Sequence, residues 1–186
     1  MTFSRKIAAG FNGVSNKKPR DAIGLLQEYA RQNYLFHGSP RGDLGTLSPQ
    51  SARDTNPDKA FNIDTAVFAS QMFDMCIPFS LIDRDKLPDN LEWKISWRET
   101  DNGFSILPKF PEAWRSYLEN DAKGYVYVLP PGSFTETDGA QWKSRTPVTP
   151  VDRIEVTLKD LLQCGAHVEW ISAPSSTQTA RPAHKA

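Results

Sequence analysis

Tyr34-Leu35-Phe36-His37-Gly38-Ser39 is the stretch on which the reading of this chain turns. It is a short aromatic and apolar run of strand character that carries an imidazole near its end. It passes straight into Pro40-Arg41-Gly42, a turn signal. Upstream, Ile23, Leu25, Leu26 and Tyr29 form an apolar stripe at helical spacing. Asp21 is placed to cap that helix and Asn33 to end it. Downstream, Leu44 to Pro57 reads as loop, and Ala66-Val67-Phe68-Ala69-Ser70 as a second short buried strand. Gln71 to Phe79 reads as a helix, and a polar segment from Asp83 to Asn90 follows.

Further on, strands dominate. Leu91 to Arg98 alternates with period two, placing Leu91, Trp93, Ile95 and Trp97 on one face. Asp101-Asn102-Gly103 is a turn, with Phe104 to Leu107 as the returning partner. Gly124-Tyr125-Val126-Tyr127-Val128-Leu129 is a β-rich run stopped by Pro130-Pro131-Gly132. Val148 to Val156 supplies another strand, Leu158 to Cys164 a brief helix, and His167 to Ile171 a closing strand. Many short strands with a few helices between them predict an α+β fold of small, mostly antiparallel sheets. Residues 1–20 are expected to form a loose arm, 21–172 the single folded domain, and 173–186 a disordered Pro/Ser/Thr/Ala-rich tail.

The chain has 186 residues, enough for one domain with a sizeable core. With 22 basic against 22 acidic residues there is no global field to attract nucleic acid or an anionic membrane. Such a contact needs a local basic patch. The two cysteines, Cys76 and Cys164, stand far apart and form no disulfide framework, and no apolar run approaches 18 residues. The expectation is a reduced, cytoplasmic protein with no membrane contact.

Several kinds of chemistry are excluded by pattern. GxxxxGK[ST] is absent, as is a GxGxxG opening a helix. His37, His167, His184 and the two cysteines show no metal-ligand spacing, so no metal is expected. Cys164 and His167 lie three apart at a helix end, where a lone thiol is most often core. Arg41-Gly42-Asp43 reads as loop. His37-Gly38-Ser39 is more informative. An imidazole at the mouth of an aromatic strand is costly unless satisfied or used. The glycine after it leaves a bare peptide that can pair with a planar amide, and Ser39 adds a hydroxyl. A capped histidine in a turn accounts for the same residues.

Later segments extend the pattern. His37-Gly38-Ser39, Leu47-Ser48-Pro49, Ala66 to Ser70, Tyr125 to Leu129, Gln141-Trp142-Lys143-Ser144 and Pro147-Val148-Thr149-Pro150 come in an order that resembles small bacterial and phage members of the ADP-ribosyltransferase superfamily. Their branch shares a split-sheet NAD fold with poly-ADP-ribose polymerases and RNA 2′-phosphotransferases. The resemblance covers roughly residues 34 to 160. It implies that His37 hydrogen-bonds a ribose hydroxyl of NAD, that the Gly38 backbone pairs with the nicotinamide carboxamide, and that Ser39 supplies the hydroxyl beside it. NAD is then a substrate, cleaved at its nicotinamide–ribose bond, with water or an unidentified macromolecular acceptor (protein or nucleic acid) taking the ribosyl group.

Two motifs depart from the family. Where a tyrosine precedes an aromatic and Ala, this chain has Val67-Phe68-Ala69; Phe68 offers an aromatic surface, but facing away from the side of Val67. Phe36, Tyr34 or a loop aromatic are the alternatives for the stacking wall. Where a catalytic glutamate commonly precedes an aromatic, this chain has Gln141-Trp142. Gln141 can orient the same hydroxyl through its amide but contributes only a dipole, and losing one preorganised contact costs about 10²- to 10³-fold in rate. Glu136 or Asp138, read as loop residues, are the alternative carboxylates. The resemblance also places the long loop after the first strand, with Arg41, Arg53 and Lys59, near the donor diphosphate. Lys143 and Arg145 flank Trp142 as exposed charge or target contacts. Trp93 and Trp97 read as core or as an adenine-stacking wall, and Tyr125 and Tyr127, on one face of their strand, as core and rim. The resemblance therefore carries three functions: mono-ADP-ribosyl transfer or NAD hydrolysis, non-catalytic binding of NAD or another nucleotide, and RNA 2′-phosphate transfer. The last lacks the further basic residues that it relies on.

Overall fold

The computed structural model describes residues 21–51, 64–88, 91–100, 103–138 and 141–172. The expected arm, the tail, Arg53, Lys59 and His184 lie outside the described residues. The chain folds as α+β, with two sheets of short strands and four short α-helices among the described residues.

Helix α1 (Ala22–Arg31) starts where Asp21 Oδ1 accepts from Gly24 N at 2.6 Å. It stops at Asn33, whose φ of 59° is a left-handed conformation that asparagine tolerates better than most residues. Strand β1 (Leu35–Ser39) follows, then a two-residue β2 (Gln50–Ser51) inside the segment expected to be loop, and β3 (Thr65–Ser70). Helix α2 (Phe73–Leu81) begins two residues later than its pattern suggested. β4 (Lys94–Thr100) and β5 (Gly103–Pro111) form a long hairpin. A 3-10 turn over Glu112–Trp114 leads into α3 (Arg115–Asn120), an element the apolar spacing did not announce. The order then runs β6 (Gly124–Leu129), β7 (Thr135–Asp138), β8 (Gln141–Ser144), β9 (Asp152–Val156), α4 (Leu158–Gln163) and β10 (Glu169–Ile171).

The larger sheet has the order β7-β8-β3-β1-β6-β9, with β2 on β3. The smaller is β10-β5-β4. All pairings are antiparallel except β10 on β5. Glu136 and Asp138, expected on a loop, belong to β7 and pair with β8. A register shift lies between them, where Asp138 comes opposite Gln141.

Two apolar layers cover the faces of the larger sheet. On one side Phe36, Val126, Val128, Ile154 and Val156 pack under α1, α2 and α4 with Trp114 and Phe110. On the other, Leu35, Val67, Ala69, Tyr127 and Leu129 meet Leu47, Phe134 and Val148. Trp93 packs against the first layer, but Trp97 is 48% exposed, so the two tryptophans do not act as one core pair. Trp97 sits further out on the β4–β5 hairpin, where the alternation continues past the body that Trp93 covers.

Helix α2 lies unusually close to the sheet, and two glycines make this possible. A Cβ on Gly38 would overlap the Cys76 carbonyl oxygen, and one on Gly124 would lie 2.7 Å from the Ser80 Cβ. Ser80 is fully buried between them, its hydroxyl donating to the Ile77 carbonyl at 2.7 Å. The hydroxyl of Tyr29 in α1 donates to Asp152 at 2.9 Å, tying that helix to β9.

Candidate functional site

The larger sheet is nearly parted between β1 and β3. Phe36↔Ser70 is the one registered pair joining these strands, whereas β1 is paired with β6 along its whole length. His37 stands next to that junction. Its Nδ1 lies 2.8 Å from the Phe68 carbonyl oxygen, so a side chain bridges the strands where the backbone ladder does not. A carbonyl only accepts, so Nδ1 carries the proton. In the neutral ring Nε2 is then an acceptor, the role needed to receive a hydrogen bond from a sugar hydroxyl. Burial holds the His37 pKa below the ordinary imidazole value, opposed in part by the bond to Phe68, so the ring is neutral near pH 7.

Gly38 and Ser39 are engaged within the protein. The Cys76 thiol donates to the Phe36 carbonyl at 3.2 Å, and the nearby Gly38 backbone N–H opposes in part the rise that burial gives this thiol. The backbone of α2 thus packs directly over the glycine that the sequence offered to a ligand amide. The missing Cβ of Gly38 is accounted for by the helix above it. Ser39 is buried, and its Oγ accepts from the Arg41 backbone N at 3.2 Å, closing the turn. Arg41 forms a two-point ion pair with Asp43 at 3.1 and 3.0 Å, which holds the Asp43 carboxyl below the usual range.

Phe68 is half-buried, with the Lys143 ammonium 5.7 Å from its ring centre, while Val67 points into the opposite apolar layer. Lys143 and Arg145 both reach Asp64, at 3.2 and 3.1 Å, so this charge is structural pairing. Cys164 is half-buried, its thiol pushed up to about 12 by burial, and His167 is exposed. Among the described residues no three His, Cys, Asp or Glu side chains gather as a metal site.

Gln141 is half-buried at the start of β8, opposite Ser70, which itself pairs with Phe36. By strand alternation Gln141 shares the side of Ser70 and Phe36, and His37 points to the other. Trp142 and Ser144 are the β8 residues on the side of His37, and Trp142 is the one in register with it. It pairs with Ala69, and Ala69 continues the register to a place beside His37. One cross-strand row on that face thus runs Trp142, Ala69, His37, Tyr127, Arg153. Trp142 Nε1 is a buried donor with no hydrogen-bond partner, so an indole N–H is left unsatisfied two strands from an imidazole acceptor. The sequence treated Trp142 only as the aromatic after Gln141. Period-two counting across both strands would have grouped it with His37, had the register been known.

The chain matches no family model, no curated protein and no solved structure. Function therefore rests on the geometry of the parted sheet.

At the far end of the row the structure has an open depression of about 310 Å³, bounded by Gly42, Asp43, Leu44 and Gly45 on one side and by residues 150–153 on the other, with Tyr127 at its base. The Tyr127 hydroxyl donates to the Arg41 carbonyl at 2.7 Å and accepts from Leu44 N at 3.1 Å, pinning the loop that forms one wall. Tyr125 is half-buried and Tyr127 buried, so the rim position falls to Tyr125 and the core position to Tyr127, the reverse of the order expected. Among the described residues no helix is long and apolar enough to cross a membrane.

Proposed function

We propose that the chain binds NAD at the parting between β1 and β3 and breaks its nicotinamide–ribose bond, as a mono-ADP-ribosyltransferase or an NAD glycohydrolase in a reducing, cytoplasmic setting. The observation that carries this reading is His37. It is a neutral imidazole held by the Phe68 carbonyl, with Nε2 left as an acceptor at the one place where the sheet opens. A ribose hydroxyl donating to that nitrogen fixes the sugar, and bond cleavage at its anomeric carbon then proceeds dissociatively. Water or a macromolecular acceptor captures the ribosyl cation. A nicotinamide carboxamide that pairs with the Gly38 peptide does so at the edge of the contact between β1 and α2.

A second reading, NAD binding without turnover, is favoured by Gln141. It is an amide where charge stabilisation calls for a carboxylate, and it lies on the other side of the sheet from His37. Incubation of the purified chain with NAD separates the two: released nicotinamide supports the enzyme, whereas thermal stabilisation by NAD without release supports the binding module. His37→Ala abolishes NAD binding under both, and unchanged affinity in that variant removes the donor site. Gln141→Glu raises turnover if the amide occupies the catalytic seat.

A further inference from the structure

We propose that the depression between the 42–45 loop and the start of β9 binds the phosphate of a nucleotide, with Arg153 as the cation that holds it. Arg153 is set by the register on the same face as His37, with Tyr127 between them. Its guanidinium lies 5.2 Å from the centre of the Tyr125 ring, which fixes the long side chain in place at little further entropic cost. Among the described residues no carboxylate lies within ion-pair distance of it, while the other cation beside the depression, Arg41, is spent on Asp43.

The two acidic residues of the wall do not cancel this cation. Asp43 feels the Arg153 charge from beyond ion-pair distance, but both its oxygens are engaged by Arg41. Asp152 points by alternation to the opposite side of β9, where it accepts from the Tyr29 hydroxyl, and its second oxygen accepts from the Arg153 backbone N at 2.7 Å. Two of the four residues of the facing wall are glycines. Gly42 packs flat on the Tyr125 ring, where a Cβ would lie within 2.5–2.8 Å, and a Cβ on Gly45 would meet nothing within 4 Å. A stacked, unpaired guanidinium facing an open glycine loop suits a tetrahedral anion, which takes two parallel N–H donors from arginine. Two strand spacings, roughly 10 Å, separate the backbones of His37 and Arg153. Reach from either side chain shortens that gap to about one ribose, so a nucleotide with its sugar at His37 brings its phosphate to Arg153. The identity of the nucleotide rests on the donor reading above, but the anion site does not.

The test is calorimetric titration of the full chain with ADP-ribose, NAD, adenosine and inorganic phosphate, in wild type, Arg153→Gln and Arg153→Lys. ADP-ribose binding is expected to weaken ~10-fold in Arg153→Gln, less in Arg153→Lys, and to weaken with added salt. Adenosine, which has no phosphate, is expected to bind wild type and Arg153→Gln alike. Competition of inorganic phosphate with ADP-ribose in wild type but not in Arg153→Gln also supports the site. Equal ADP-ribose affinity in all three proteins, or no binding of either ADP-ribose or phosphate by wild type, overturns it. Loss of NAD binding in His37→Ala with no effect of Arg153→Gln sinks this inference and leaves the donor reading standing. Loss in Arg153→Gln with none in His37→Ala does the reverse.

Discussion

Gly38→Ala is the substitution on which the structure makes its sharpest commitment. The added methyl group would overlap the Cys76 carbonyl oxygen, and would come within 3.0 Å of the Cys76 carbonyl carbon and 3.2 Å of Ser80 N. All three are backbone atoms of one helix, so no side chain can rotate away and α2 must lift as a unit. Overpacking costs about 1–3 kcal/mol, and a rigid backbone neighbour puts this case near the upper end. The narrower unfolded ensemble of alanine returns about 0.4–1 kcal/mol. The net loss is about 2 kcal/mol, which for a body of this size is about 4–8 °C in Tm. Thermal and urea denaturation of Gly38→Ala should show it, with Gly45→Ala and Gly132→Ala as controls, because a Cβ there meets nothing within 4 Å. If Gly38→Ala melts with wild type, α2 does not rest on β1 as described, and the glycine is there for something that approaches from outside.

Three further outcomes follow from the same contacts. Burial lowers the His37 pKa, so below about pH 6.5 the unfolded chain takes up the proton first. Stability is then lost as the pH falls towards the folded-state value, by up to ~1.4 kcal/mol per pH unit. Urea denaturation at pH 7 and pH 5 should show this slope reduced in His37→Gln. The half-buried Asp74 carboxyl is raised and acts in the opposite sense in both proteins, so an unchanged slope in the variant would refute the burial of the ring. Trp142→Phe removes a buried donor that has no partner and should cost less than ~1 kcal/mol in chemical denaturation; a loss above about 2 kcal/mol would mean that the indole N–H is bonded. Burial raises both thiols, Cys164 to about 12 and Cys76 further, so a disulfide reagent at pH 8 should label the folded chain far more slowly than free cysteine. Urea should release both thiols, and fast labelling without denaturant would place a sulfur at the surface.

Much of the fold was legible because its strands are short and strongly patterned. Leu35 to Ser39, Ala66 to Ser70 and Gly124 to Leu129 are apolar runs bounded by turn residues, and each is a strand. Asp21 caps α1 as its side chain allows. Elements stabilised by tertiary contact were hidden. α3 is six residues long with Leu118 as its buried anchor, and β7 is a polar strand that exists by pairing with β8. The site was legible at His37, where an imidazole in an aromatic strand demanded a partner and has one in Phe68. It was not legible at Gly38, because a glycine that admits a ligand and one that admits a helix look alike in sequence, and Cys76 lies 38 positions away. Gln141 was chosen by its likeness to a motif position. Which neighbour of a strand residue shares a face with His37 depends on register, and register here is set by one pair, Phe36↔Ser70.

The thiol that holds the Phe36 carbonyl has a kinetic meaning for the proposed donor site. On the proposed reading, a ligand that sought this carbonyl would find it already spoken for and would wait until the helix carrying Cys76 drew back. Capture at the seam would then be a two-stage affair, a loose encounter followed by an exchange of partners. Its speed at saturating concentration would belong to the protein's own opening and not to diffusion.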